Sequence, residues 1–249
     1  MEICAVYRSK TVALIIPARN EALSLPEVLK AVPCQVDRIL VVDNGSTDGT
    51  ARVAGEHGAK VVSEPKAGYG RACLGGLAAL EADPPDLVAF ADADGSDDLS
   101  YLLELLDPLV DGEAEMTLAR RIPTEPRALS PQQRFGNWLA TRLIRFFWSH
   151  DYGDLGPMRA ITWKELLRLD MSDQDYGWTV EMQLRALQRG LRPKEFPVPY
   201  GRRKAGESKV SATLAGSLRA GIKILWIIAR EIQREKGFFS KVRRDRQGV

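Results

Sequence analysis

Five short apolar, β-branched runs recur through the first half of the chain: TVALII (11–16), RILVV (38–42), KVVS (60–63), LVAFA (87–91) and EMTLA (115–119). Between them lie helix-forming stretches at 21–32, 47–57, 68–82 and 99–110. This alternation constrains the fold more than any other feature. Runs that are apolar throughout, without an inside-outside alternation, suit strands buried on both faces. The expectation is an α/β fold whose mostly parallel sheet is covered by helices on each side. Right-handed crossovers then bring the C-terminal ends of the strands to one edge, where such sheets bind ligands. Three polar segments fall on that edge: PARNE (17–21), DNGSTDGT (43–50) and DADGSDD (92–98).

The third segment places Asp92, Asp94, Asp97 and Asp98 within seven residues. Like charges this close need either solvation or a cation. Asp92 and Asp94 form a D-x-D at a strand end, and residues two apart on extended chain point the same way. Both carboxylates can therefore face one hard divalent ion, Mg²⁺ or Mn²⁺. Asp97 and Asp98 are assigned instead to capping the helix that begins near Leu99. In DNGSTDGT, Ser46, Thr47 or Asp48 is expected to cap the next helix, while Asp43 at the strand tip can accept a hydrogen bond from a nucleobase imide. KAGYGRACLGG (66–76) imitates a dinucleotide fingerprint, but Cys73 stands where the third glycine belongs. Close helix packing is the better reading of Gly75 and Gly76.

The second half is less regular. RIPTEPRALSPQQ (121–133) reads as a loop, and RFGNWLATRLIRFFW (134–148) as a basic amphipathic helix. A helix near 163–169, another at 175–190, a strand at 195–200, a basic loop at 201–209 and a long helix near 211–235 with a basic tail follow. Residues 1–210 are read as one catalytic domain and 211–249 as an amphipathic appendage. A net charge of +2 gives no field suited to nucleic acid. Two histidines exclude a His-rich metal site, and three dispersed cysteines suggest reduced thiols in a cytoplasmic setting. The N-terminus does not read as a signal peptide, and no apolar run reaches the roughly 18 residues of a spanning helix.

IIPARNE, ILVVDNGSTDGT, EPKAGYG and FADADGSDD, in this order and spacing, resemble family 2 inverting glycosyltransferases of the GT-A fold. DLGPMRAI (154–161), GWTVEMQ (177–183) and RKAGESK (203–209) are similar to the polyprenyl- or dolichyl-phosphate mannose or glucose synthase branch. The resemblance implies a Rossmann-like three-layer sandwich with C-terminal amphipathic helices. It implies that Pro17, Ala18 and Glu21 cradle the nucleotide, Glu21 towards the ribose. Asp43 matches the base-reading aspartate, and Lys66 lies beside the nucleotide. Asp92 matches a position near ribose and metal, and Asp94 the main metal ligand. Two departures stand out: Ser96 replaces a metal-binding Gln, and Asn44 replaces the second Asp of the usual DDGS. The QxxRW motif of processive polysaccharide synthases is absent, which argues against a polymerising enzyme.

The implied reaction moves a hexose from a UDP- or GDP-sugar to a polyprenyl phosphate, with Mg²⁺ or Mn²⁺. An ionised phosphate acceptor needs cations, and Arg120 or Arg121, Arg134, Arg203 and Lys209 are the candidates. A hydroxyl acceptor, soluble or lipid-borne, needs a base instead, for which Glu181 is the candidate. A non-catalytic nucleotide-sugar-binding subunit is the remaining alternative. The aromatic, basic helices suggest peripheral contact with the cytoplasmic membrane face. A homo-oligomer is left open.

Overall fold

The computed structural model describes residues 7–126, 128–204 and 221–235. Lys209, most of the 201–209 loop, the first part of the 211–235 helix and the basic tail lie outside these described residues. Strands β1 (Val12–Ala18), β2 (Arg38–Asp43), β3 (Lys60–Ser63), β4 (Leu87–Phe90), β5 (Met116–Pro123), β6 (Arg159–Thr162) and β7 (Pro193–Tyr200) form one seven-stranded sheet. Its order is β3-β2-β1-β4-β6-β5-β7. β1 pairs in parallel with both β2 and β4, β2 with β3, and β5 with β7. Only β6 runs the other way, antiparallel to both β4 and β5. The sheet is thus mixed but mostly parallel, as expected. β6 itself was not foreseen: it is four residues long and opens on an arginine.

The helices are α1 (Leu25–Ala31), α2 (Thr50–Glu56), α3 (Tyr69–Ala78), α4 (Leu102–Val110), α5 (Pro131–Trp148), α6 (Trp163–Leu169), α7 (Trp178–Gln188) and α8 (residues 221–235). β1 shows how they divide. Val12, Leu14 and Ile16 join a core with residues of α1, α2 and α4. Ala13 and Ile15 face a second core with α3, α5, α6, α7 and α8. A strand sandwiched this way has no solvent side, which is why its sequence shows no alternation. Gly76 lets α3 lie close on β1, since a Cβ there would come within 2.7 Å of Ile15 Cγ2. The packing reading holds for Gly76, whereas a Cβ on Gly75 would make only ordinary contacts of 3.8 Å.

α5 begins three residues earlier than Arg134. Ser130 Oγ accepts the Gln133 N–H at 3.2 Å, and Gln133 Oε1 accepts the Ser130 N–H at 2.8 Å. With Pro131 in the first turn, where no amide partner is lost, this reciprocal cap starts the helix. Proline content alone made the segment look like loop. Cys34 is disulfide-bonded, which corrects the expectation of three reduced thiols; Cys73 is a buried free thiol. No helix among the described residues is long and apolar enough to cross a membrane.

Candidate active site

The parallel register sets the tips of β1, β2 and β4 side by side, and polar side chains stitch their loops together. Asn20, at φ +54°, accepts the Thr47 N–H on Oδ1 at 2.8 Å, and its own N–H donates to Ser46 Oγ at 3.0 Å. Glu21 N–H donates to Thr50 Oγ1 at 2.9 Å, and Ala22 N–H to Asp48 Oδ2 at 3.2 Å. Asp48 also accepts from the amide and hydroxyl of Thr50. Burial alone would raise its pKa, but these hydrogen bonds from Thr50 and Ala22 lower it. Asp48 thus fixes the loop ahead of α2. Ser24 Oγ hydrogen-bonds both Glu21 Oε2 at 3.0 Å and Ala93 O at 2.8 Å, tying the β1 loop to the D-x-D.

At β2, Asp43 is half-buried and accepts the Ser46 N–H at 3.2 Å. Asn44 has a different task. Its Nδ2 donates to the carbonyls of Glu64 (3.1 Å) and Lys66 (2.7 Å), and its Oδ1 accepts the Gly68 N–H at 2.8 Å. A carboxylate could not donate to those carbonyls, so an amide fits this position where an aspartate would not. The backbone of the exposed Lys66 is thereby tied to the tip of β2. Gly68 and Gly70 serve close approach: a Cβ on either would sit within 2.2 Å of the backbone of Gln174 or 2.0 Å of that of Asp173.

In DADGSDD the four aspartates split. Asp98 accepts from the amide and hydroxyl of Ser100 at 3.1 and 2.6 Å, the expected cap. Asp97 does not cap. Its residue pairs in an antiparallel bridge with Tyr200, and its Oδ2 accepts the Asp92 N–H at 3.2 Å. Three carboxylates, Asp92, Asp94 and Asp97, therefore crowd one spot. Burial, then Asp94 and Asp97, push Asp92 well above the usual carboxylate range. Burial, then Asp94, push Asp97 up to about 7. The local pattern of a cap is the same for Asp97 and Asp98, so sequence could not separate them.

The Asp97 shift makes a stability prediction. The fold holds this proton up to a pH of about 7, whereas the unfolded chain releases it near 3.8. Stability falls as pH rises between those values, because the folded state binds more protons, and the loss is complete above the higher one. Asp97→Asn retains an oxygen for the Asp92 amide and removes the charge. It is expected to melt several degrees above the wild type at pH 8 and to lose that advantage near pH 4. A variant that melts below the wild type at pH 8 contradicts this.

Cations face the cluster from β5 and from the segment that follows β7. Arg121 donates to Asp154 three times, from its backbone N (3.0 Å), Nε (2.7 Å) and Nη2 (2.9 Å), and its guanidinium stacks over Tyr200 at 5.2 Å. Thus fixed, it eases the crowding at Asp92 and Asp97. Arg120, the other arginine of the candidate pair, is exposed and lies along Gly153. Alternation on β5 sends one arginine inward and the other outward, so of the two it is Arg121 that lies towards the carboxylates. Arg203 bridges two loops: Nη1 meets Glu21 at 2.6 and 2.8 Å, and Nη2 meets Asp94 Oδ2 at 3.1 Å. Burial works against its charge, but Glu21 and Asp94 keep it charged.

Pro17 and Ala18 line the end of β1, Ala18 buried. Arg134 is exposed on the first turn of α5, and no hydrogen bond or ion pair among the described residues brings it to the carboxylates. Glu181, the candidate base for a hydroxyl acceptor, is fully buried. Its oxygens accept Ser172 N–H (3.0 Å), Ser172 Oγ (2.9 Å) and Asp173 N–H (2.7 Å), and pair with Arg185 (2.9 Å) and Arg230 (2.5 Å). Both of its oxygens are thus engaged by partners within the fold. Sequence reading also passed over Arg159, fully buried and donating to the carbonyls of Gly156, Pro157 (3.1 Å) and Thr179 (2.9 Å). It ties the turn after Asp154 to α7.

Asp92 and Asp94 suit a divalent ion in their hard oxygens and surplus charge, which a cation would relieve. Among the described residues no group of three His, Cys, Asp or Glu side chains makes a ready metal cage. The remaining ligands would have to be diphosphate oxygens and water, the usual arrangement for Mg²⁺. Ser96 contributes no side-chain ligand on view: it is buried, and its carbonyl accepts the Gly201 N–H at 3.0 Å.

Residues 13–168 match the family model described as glycosyl transferase family 2. An uncharacterized glycosyltransferase of Mycobacterium tuberculosis is 41% identical over 209 residues, covering 84% of this chain and 94% of that protein. A dolichyl-phosphate hexose transferase of Haloferax volcanii is 30% identical over 232 residues, covering 90% of this chain and 97% of that protein. A solved structure of glucosyl-3-phosphoglycerate synthase from Mycobacterium tuberculosis, in complex with Mn²⁺, UDP-glucose and phosphoglyceric acid, superposes with a TM-score of 0.69. It is 22% identical, covers 89% of this chain and 81% of that one, and shares the fold. With the matched span holding β1, β2 and β4 and their acidic loops, the chain belongs to glycosyl transferase family 2 and is a glycosyltransferase of the GT-A fold.

Proposed function

We propose that the protein transfers a hexose, with inversion, from a UDP- or GDP-sugar to a polyprenyl phosphate at the membrane surface. The observation that carries this reading is the balance of groups around the D-x-D. Two fixed arginines, Arg121 and Arg203, stand by the carboxylates, while Glu181, the candidate base for a hydroxyl acceptor, is sealed by Arg185 and Arg230. A site equipped with cations and lacking an accessible base at that position suits an acceptor that is already an anion, because a phosphate oxygen attacks without losing a proton.

The residues divide the work by position. Asp43 accepts from the base, with Lys66 on the loop that Asn44 ties down, and Glu21 meets the ribose. Asp92 and Asp94 would hold Mg²⁺ or Mn²⁺, which supplies positive charge against the departing nucleoside diphosphate. Arg121, locked by Asp154, presents a planar cation to a phosphate group. Arg134, at the start of α5, and Lys209 are further cations for the acceptor. The lipid reading has separate support. α5 exposes Phe135, Trp138, Phe146 and Phe147 among its arginines, and α8 exposes Ile222, Leu225 and Trp226. Such aromatic and basic helices suit an anionic leaflet. The dolichyl-phosphate hexose transferase among the relatives points the same way.

The test is an acceptor panel in detergent with UDP- and GDP-hexoses and Mn²⁺. Transfer to a short polyprenyl phosphate is expected, with transfer to the matching polyprenol at least about 100-fold slower, as expected where no base is available to take a hydroxyl proton. Equal rates on the phosphate and the alcohol would overturn the reading in favour of a hydroxyl acceptor. Binding of donor with no transfer to any acceptor would favour a non-catalytic subunit.

A further inference from the structure

Arg203 occupies an unusual place for a residue meant to greet an acceptor. One end of its guanidinium grips Glu21, from the β1 loop, and the other grips Asp94, from the β4 loop. It is brought there by a short strap running on from β7. Gly201 N–H donates to Ser96 O at 3.0 Å, and Lys204 N–H to Asp94 O at 3.0 Å, so the strap is pinned on both sides of Arg203 to the D-x-D loop itself. Gly95, at φ +73°, leaves room for this: a Cβ there would come within 2.9 Å of Lys204 Cδ. Asp94 Oδ1 is engaged by the Ser96 N–H at 2.9 Å, and Oδ2 is the oxygen that Arg203 holds.

We propose that Arg203 is the resident counter-ion of the cation seat, held on Asp94 until a divalent ion displaces it. The idea rests on the reading of Asp94 as a metal ligand. A guanidinium 3.1 Å from Asp94 Oδ2 competes with a metal for that oxygen and repels its charge, so loading works against the ion pair. Charge at Asp94 is thus compensated in both states, first by the guanidinium and then by the metal. The exchange also sets an order. Arg203 is engaged with Asp94 while the seat lacks a metal, and it turns to a phosphate acceptor only after the cation has taken Asp94. An enzyme built this way admits its acceptor after the cation, which protects it from gripping a lipid phosphate in an unloaded state.

The measurement is Mn²⁺ affinity at pH 7.5, without nucleotide or acceptor, by calorimetry or by the electron paramagnetic resonance signal of unbound Mn²⁺. Arg203→Gln is expected to bind Mn²⁺ on the order of tenfold more tightly than the wild type, because no partly buried ion pair has to be broken first. Arg203→Lys, which keeps one point charge but cannot bridge both carboxylates, should fall between them. Adding Asp94→Asn to Arg203→Gln should abolish the gain. Should either single variant bind Mn²⁺ no more tightly than the wild type, or should the gain survive loss of Asp94, the proposal is overturned. These outcomes do not depend on which acceptor the enzyme uses, so the acceptor panel can fail while this result stands. If Arg203→Gln does not fold, the Lys variant decides alone.

Discussion

Asp94→Asn is expected to lower sugar transfer by about 10³-fold or more, the scale of removing a metal-borne stabilisation of several kcal/mol from a transition state. The loop itself should survive the change. The Asp94 carbonyl still accepts the Lys204 N–H, and an asparagine Oδ1 can still accept the Ser96 N–H. What disappears is the charge that a divalent cation needs and that Arg203 balances. Donor binding should weaken far less than turnover, because Asp43, Glu21 and the Asn44-held loop at 64–68 are untouched. A kcat close to that of the wild type, with Mn²⁺ still required, would remove Asp94 from the mechanism. The comparison is best made by single turnover at saturating donor, so that binding and chemistry separate.

How far such a site can be read from sequence depends on whether the signal is local. β1, β2 and β4 were legible because each is an unbroken apolar run ending in a polar turn, and the parallel order then follows from the helices between them. β6 carried no such run. Its Arg159 is buried against carbonyls of Gly156, Pro157 and Thr179, partners that no local pattern announces. The choice between Arg120 and Arg121 was a question of parity along β5. Parity is fixed by register against β6 and β7, which are distant in sequence. Asp97 and Asp98 looked alike because a cap is defined by the next two or three residues, whereas the inward turn of Asp97 depends on a bridge to Tyr200. Asn44 seemed a departure from a family pattern. Its three hydrogen bonds across 64–68 show it as a better fit to this loop than an aspartate.

Glu181 carries the second large effect, and here the outcome is in stability rather than turnover. Its carboxylate joins three parts of the protein: the 172–173 turn through two amides and a hydroxyl, α7 through Arg185, and α8 through Arg230. Arg185 is only 3% exposed, and its other carboxylate, Glu231, is at 3.6 Å. Glu181→Ala therefore leaves a buried guanidinium short of a partner and two amides without an acceptor. Breaking a buried pair from one side costs about 3–5 kcal/mol, because the surviving charge cannot reach water. For a domain of this size that corresponds to a fall in Tm of roughly 6–20 °C. Glu181→Gln separates the structural reading from the catalytic one. It keeps the volume and one accepting oxygen, so the variant should fold, melt a few degrees lower, and transfer sugar within several-fold of the wild-type rate at 20 °C. A general base replaced by an amide would instead lose about 10²–10⁴-fold in rate, with a changed pH profile. A well-folded Glu181→Gln with that larger loss would restore Glu181 as the base and, with it, the hydroxyl acceptor.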